Sequence, residues 1–326
     1  KEKKMKKILF ILLALFFISN VSAFAPLSHT EIDEDLFNQS SSKIIESCRP
    51  YESEFKLGSL TPDLAVIYYY SNGGKDYKLT HNWNFADEVM RNAVTQDEIC
   101  FAYGIAAHLI ADSVSHNQMV PTAIKKVYIP NWLLHPLLEQ KYDSVRASKH
   151  PNLKNSSNHV MDALYGSKGD RYASMVQKAL GTNTDIDAKN ELVKLSISLG
   201  TFFQTQYKPT GGTLIFKIYP AIAKLTYILY PIIGNVNSGN LDLYYDRAVE
   251  LEVSSFSNWG SRYQISPHGF DTLNEADNSA NIFTWIYVLI AFGIPVGLAL
   301  WRKSWWYLMF IPVLLILEVV IVYILI

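Results

Sequence analysis

Only two cysteines, Cys48 and Cys100, occur in 326 residues, and neither lies in a CxxC pair or at a zinc-finger spacing. A scaffold built on disulfides and a thiolate metal site are both excluded. The pair itself fits either one bridge or two separately buried thiols. An excess of charge of one sign is also missing, since 29 Lys+Arg stand against 30 Asp+Glu for a formal net charge of -1. Without a basic excess the chain lacks the electrostatic footprint of phosphate-backbone binding, so no nucleic-acid partner is expected. Alternating, β-branched runs bounded by turns are scarce between Phe24 and Leu251, where apolar residues recur at three- and four-residue spacing. That segment reads as all-α, with breaks at Ser71 to Gly74, His150 to Asn158, Gly181 to Asp185, Pro209 to Gly212 and Asn235 to Gly239. No internal repeat is visible.

Hydrophobic residues make up 49% of the chain, enough for one large core plus membrane segments. Lys3, Lys4, Lys6 and Lys7 precede an apolar run from Ile8 to Ile18, which is followed by small and polar residues up to Ala23. The run is about 11 residues, short of the ~20 that span a bilayer, so residues 1–23 are expected to be a signal peptide cleaved before Phe24. At the other end, 254–281 turns polar and reads as a connector. Ile282 to Leu300 and Tyr307 to Ile326 are apolar, apart from Glu318, and are separated by Trp301-Arg302-Lys303-Ser304-Trp305-Trp306. Two transmembrane helices with a basic cytoplasmic loop are expected, which puts the preceding domain on the extracellular side of the cell membrane. A further apolar stretch, Leu214 to Ile233, carries two lysines and two prolines and fits a surface or core helix pair better than a third span.

Five of the eight histidines fall in the first half of the domain: His29, His81, His108, His116 and His135. His108, Asp112 and His116 recur every fourth residue within Ala106 to His116, which stacks them on one face of a helix. Their neighbours Ile105, Ala106, Leu109 and Ile110 are apolar, so this face would bury a carboxylate and two imidazoles at considerable cost unless a cation compensates. His135 and Glu139 repeat the spacing, with Pro136 suited to a helix's first turn. Either pair alone also fits an ordinary helical hydrogen bond. Both together favour metal, and imidazoles with carboxylates and no thiolate suit zinc, iron or manganese.

The segment from Phe24 to Asp143 resembles the zinc-dependent phospholipase C family, whose fold is shared with the single-strand-specific zinc nucleases. The resemblance rests on His29 in Leu27-Ser28-His29-Thr30, on Asp63 in Gly58-Ser59-Leu60-Thr61-Pro62-Asp63, and on the two histidine–carboxylate pairs. It implies a multi-helix domain, taken here as residues 24–253 and followed by the connector at 254–281 and the two-helix anchor at 282–326 that composition suggests. It also implies three zinc ions. Phe24, through its freed amine and carbonyl, and His29 would hold the first. His81, His108 and Asp112 would hold the second, with Asp112 bridging to the first, while His116, His135 and Glu139 would hold the third. Asp63 would be catalytic, orienting or deprotonating the attacking water. The HxxxE at His135 and Glu139 resembles the phospholipases, because the nucleases more often carry aspartate there. Phe24 replaces the usual tryptophan, His116 follows Asp112 by four residues where six is common, and the interval from Asp63 to His81 is longer than usual. The expected activity is hydrolysis of glycerophospholipids at a membrane. A nuclease or nucleotidase on the same scaffold, and a surface protein merely stabilised by metal, are the competing readings.

Overall fold

A computed structural model describes residues 26–65, 79–124, 142–143, 146, 160, 163–164, 167–182, 184–194, 238–267 and 294–301. Every regular element among them is helical, as the spacing of apolar residues predicts. In chain order these are α1 (Pro26–Gln39), α2 (Lys43–Cys48), α3 (Glu52–Leu60), α4 (Trp83–Arg91), α5 (Gln96–Val114), α6 (Val120–Ile124), α7 (Ser167–Leu180), α8 (Ser238–Ser257) and α9 (Ile294–Trp301). Short 3-10 turns at Arg49–Tyr51 and Trp259–Gln264 come after α2 and α8, and a π turn at Ser115–Met119 joins α5 to α6.

α5 is the axis of the domain. Thr95 and Glu98 start it with a capping box, the Glu98 carboxylate accepting from the amides of Val94 at 2.8 Å and Thr95 at 3.1 Å. From Cys100 onward nearly every side chain is buried, because α1, α3, α4 and α8 pack around it. On one side Phe101, Ile105 and Leu109 join Leu57, Leu60, Val89 and Tyr172. On the other, Cys100, Ala107 and Ile110 meet Leu36, Phe55 and Phe256.

α3 approaches α5 more closely than side chains normally permit. A Cβ on Gly104 would stand 1.9 Å from the carbonyl oxygen of Phe55 and 2.8 Å from the amide nitrogen of Ser59. A Cβ on Gly58 would meet the Phe101 carbonyl oxygen at 1.9 Å. Two glycines therefore put the helix backbones in contact. Cys48 and Cys100 form a disulfide across 52 residues, fastening α2 to α5 and resolving the two alternatives left by the sequence in favour of the bridge. Closing a loop of that length stabilises the fold by about 4 kcal/mol on a chain-entropy account.

The break expected at Gly181 is a helix end, with Gly181 at φ 77° immediately after α7. α8 runs through residue 254 to Ser257, and the segment beyond it stays on the domain. Trp83 Nε1 donates to the Ile265 carbonyl at 2.9 Å, Arg262 pairs with Asp87 at 3.2 Å, and Asn117 donates to the Ser266 carbonyl at 3.1 Å. The first part of the expected connector is thus packed structure. Residues 1–23, Leu214 to Ile233 and most of 282–326, Glu318 included, lie outside the described residues. No helix among the described residues is long and apolar enough to cross a membrane.

α1 and α8 meet at two buried acids, Asp33 and Glu252, whose carboxyl oxygens have no hydrogen-bond partner among the described residues. Burial pushes both well above the usual carboxylate range, and the Asp33 carboxyl raises Glu252 further. An acid whose folded pKa is raised costs nothing while both states are protonated, so stability is lost as pH climbs from the unfolded value near ~4 toward the folded one. Glu252→Gln is therefore expected to raise the melting temperature at pH 7.5 and to leave it nearly unchanged at pH 4.5. Gly104→Ala should act oppositely at every pH, forcing α3 off α5 and costing about 1–3 kcal/mol. A thermal scan in which Gly104→Ala melts like the parent contradicts the backbone contact.

Candidate metal centre

The close crossing of α3 and α5 brings the end of one against the middle of the other. Asp63 follows the C-cap of α3 at Thr61, while His108 and Asp112 lie one turn apart on α5. His81 precedes Asn82, whose side chain caps α4 by accepting from the Phe85 amide at 2.9 Å. The Thr80 hydroxyl donates to the Pro62 carbonyl at 2.6 Å, which ties the His81 segment to the Asp63 turn. His29 comes from the first turn of α1. His116 falls in the π turn, where the widened helical register begins directly after α5.

These six side chains are all buried, and they converge. His108 Nε2 stands 3.2 Å from His81 Nε2 and 3.1 Å from Asp112 Oδ2. His81 Nε2 is 3.5 Å from Asp112 Oδ2 and 3.6 Å from Asp63 Oδ1, with His108 Nε2 to Asp63 Oδ1 at 3.9 Å. Donor atoms held by one tetrahedral zinc at ~2.0–2.1 Å lie ~3.3 Å apart, so this spacing suits ligands that share a cation. Asp112 also faces a second way, its Oδ1 lying 3.3 Å from His29 Nε2 while Oδ2 is turned to His81, His108 and, at 3.5 Å, His116. The His29 and His108 rings stack with centroids 4.1 Å apart.

Two sets of three donors come close enough to hold an ion: His29, His108 and Asp112, and Asp63, His81 and His108. Both oxygens of Asp63 and of Asp112 accept no hydrogen bond of good geometry among the described residues, despite complete burial. A buried carboxylate without hydrogen bonds is costly, and a divalent ion among the same donors removes that cost. Burial acts to raise the Asp112 carboxyl, yet the imidazoles of His108 and His116 outweigh it and hold it well below the usual range. Asp63 behaves alike, burial being overcome by His108 and His81. Burial lowers the His116 imidazole, Asp112 only partly opposing it. The two carboxyls are thus shifted toward the ionised form and His116 toward the neutral one, the forms in which such groups bind a metal.

Residues 29–184 match the family model for zinc dependent phospholipase C. Over that segment, the chain is similar to the zinc-dependent phospholipase C family. Comparison with curated proteins and with solved structures gave no significant match. Zinc dependence follows from the family, and the donor chemistry fits it, with nitrogen and oxygen ligands and no sulfur.

Of the residues singled out from the sequence, the structure brings together His29, Asp63, His81, His108, Asp112 and His116. Phe24, His135 and Glu139 lie outside the described residues. Asp63, which the resemblance places beside the metal-bound water, stands among the imidazoles, its Oδ1 3.6 Å from His81 Nε2 and 3.9 Å from His108 Nε2. The sequence reading also passed over Asp143. Its carboxylate accepts from the amides of Leu27 and Ser28, each at 2.9 Å, and from the Ser28 hydroxyl. The available signal was spacing, since Asp143 follows Glu139 by the same four residues that separate Glu139 from His135.

Chelation at pH 7 is expected to lower the melting temperature, by an amount equivalent to about 4 kcal/mol where free zinc stood at 1,000 times its Kd. That difference should shrink as pH falls below ~6.5, because protons then compete for the imidazoles. Scanning calorimetry of zinc-loaded and chelated protein from pH 5 to 7.5 checks this. A gap that does not change with pH contradicts imidazole ligation.

Proposed function

We propose that this chain is a membrane-anchored, externally facing phospholipase C-like phosphodiesterase, which hydrolyses glycerophospholipids to diacylglycerol and a phosphorylated head group. The observation that carries the reading is the convergence of Asp63, His81, His108 and Asp112 at ligand-sharing distances inside a domain of the zinc-dependent phospholipase C family. We assign three ions: one to Phe24, His29 and Asp112, one to His81, His108 and Asp112 with Asp63, and one to His116, His135 and Glu139. The apolar stretches at 282–300 and 307–326 and the signal-like residues 1–23 support anchoring and export. The Cys48–Cys100 bridge agrees with an oxidising compartment.

Divalent ions held there supply charge neutralisation at the phosphoryl oxygens, a more acidic water and stabilisation of the leaving alkoxide. Asp112 presents one oxygen to each side and so sets the spacing of the donor groups around it. Asp63 turns Oδ1 toward His81 and His108, which leaves Oδ2 to orient the attacking water and take its proton. The water oxygen bonds to phosphorus, the bond from phosphorus to the glycerol oxygen breaks, and that oxygen leaves as the diacylglycerol hydroxyl after protonation. Anchoring holds the site beside its substrate, so modest lipid affinity suffices.

Asp63→Asn is expected to reduce kcat by about 10²–10⁴-fold, the range of a lost acid–base group, while circular dichroism stays that of the parent. The assay sets phosphatidylcholine vesicles beside single-stranded DNA for both proteins. Hydrolysis of DNA alone assigns the scaffold to nuclease chemistry, and full lipid turnover by Asp63→Asn removes Asp63 from the reaction.

A further inference from the structure

His29 is the ligand-type residue nearest the start of the described chain, and although the Thr30 hydroxyl donates to the Leu27 carbonyl at 2.9 Å, no side chain of α1 is seen to cap its leading amides. The helix begins at Pro26, which has no N–H, and the next two amides, those of Leu27 and Ser28, have no partner within the helix. Ala25, which precedes Pro26 in the sequence, has no side-chain oxygen with which to cap them. Asp143 does so from 115 residues away, taking the Ser28 amide and hydroxyl on Oδ1 and the Leu27 amide on Oδ2. One turn further along the helix, Arg146 donates from Nε to Glu31 Oε2 at 2.6 Å. Arg146 is itself steadied from α8, with its guanidinium 3.8 Å over the Tyr245 ring and its Nη1 3.5 Å from Asp242 Oδ1. Asp143 and Arg146 therefore grip α1 at Leu27–Ser28 and at Glu31, on either side of His29.

A buried carboxylate at a helix N-terminus meets both the orphan amides and the positive end of the helix dipole, so it fixes that end firmly. What it fixes here is the placement of His29 Nε2 3.3 Å from Asp112 Oδ1. Groups that orient a ligand without touching the metal typically govern affinity by about 10–100-fold. We propose that Asp143 is a positioning residue for the ion shared by His29 and Asp112: by capping α1 it sets the amino-terminal ligands of the centre, and it thereby controls how tightly that one ion is held. The proposal rests on the zinc-centre reading above.

The test is a zinc titration of the full-length chain in detergent, by competition with a chelating dye, alongside elemental analysis and melting of the metal-free protein. Wild type is measured first, and a wild type that takes up no zinc ends the zinc-centre reading and this proposal with it. Asp143→Ala is expected to weaken one class of site by about 10–100-fold while the remaining ions bind as in wild type. Asp143→Asn, which keeps an acceptor oxygen, and Ser28→Ala, which removes only the hydroxyl, should weaken the same class less. These two milder variants carry the test if Asp143→Ala does not fold. Asp97→Asn is the structural control, because Asp97 accepts from the Tyr172 hydroxyl at 2.9 Å and from Arg171 at 3.0 Å, away from the centre. It should lower the melting temperature and leave every zinc affinity unchanged. If the Asp143 variants melt lower but titrate like wild type, Asp143 is only a helix cap and the proposal fails. Equal weakening of all the sites also overturns it, since the effect is then general loosening.

Discussion

The contact between the backbones of α3 and α5 is the constraint on which the rest of the domain depends. With Gly58 and Gly104 facing carbonyls rather than side chains, the two helices approach until a single methyl group on either would collide. At that distance the end of α3 delivers Asp63 to the face of α5 that carries His108 and Asp112. A normal helix separation of about 8–10 Å, set by interdigitating side chains, would pull the Asp63 carboxylate back from the imidazoles. The disulfide at Cys48 and Cys100 and the hydrogen bond from Thr80 to Pro62 then hold the neighbouring segments to the same junction.

A centre formed this way concentrates charge where the fold can least tolerate it. Asp63 and Asp112 are buried and short of hydrogen bonds, and the imidazoles that lower their pKa lie at distances too long or too poorly aligned to satisfy them. A protein gains nothing in stability from such a set by itself. Its persistence in the middle of an otherwise apolar helix is understandable when a cation completes it, so that metal and fold stabilise each other. The contrast lies at Asp33 and Glu252, where burial outweighs the pull of Ser59, Lys56 and His108 on Asp33 and drives both acids upward instead. The same desolvation thus has opposite outcomes, decided by how close the cationic or ligand-type partners stand.

Much of this was legible in the sequence, and the reasons are local. The all-α class followed from three- and four-residue spacing, and the stripe of His108, Asp112 and His116 from the helical repeat, because both are properties of one continuous segment. Whether Cys48 and Cys100 pair was not legible, since partnership across 52 residues depends on how α2 lies against α5. The place of Asp63 beside His81 and His108 was legible only through the family resemblance, because its partners lie on α5 and before α4. The glycine crossing was missed for a related reason. A single glycine inside a helical pattern looks like a small propensity cost, and its use shows only when another backbone arrives. Polar composition beyond Ser254 reads as a connector, and within it Arg262 pairs with Asp87, the Ile265 carbonyl accepts from Trp83, and Trp259 stacks on Phe256.

α1 shows how far a metal centre depends on groups that never approach the metal. Its first turn has a proline, two orphan amides and a histidine, and in isolation so short a start would fray. The carboxylate that holds it comes from beyond the last expected ligand, and the arginine beside that carboxylate leans on an aromatic ring of α8. Three remote stretches of chain must therefore be in place before His29 can meet Asp112. Ligand geometry at the amino-terminal side is in this sense a readout of completed folding, whereas His81, His108 and Asp63 are brought together by the α3–α5 contact and the hydrogen bond from Thr80 to Pro62. The two halves of the centre share Asp112 but have separate supports, so the geometry of one can loosen while that of the other is kept.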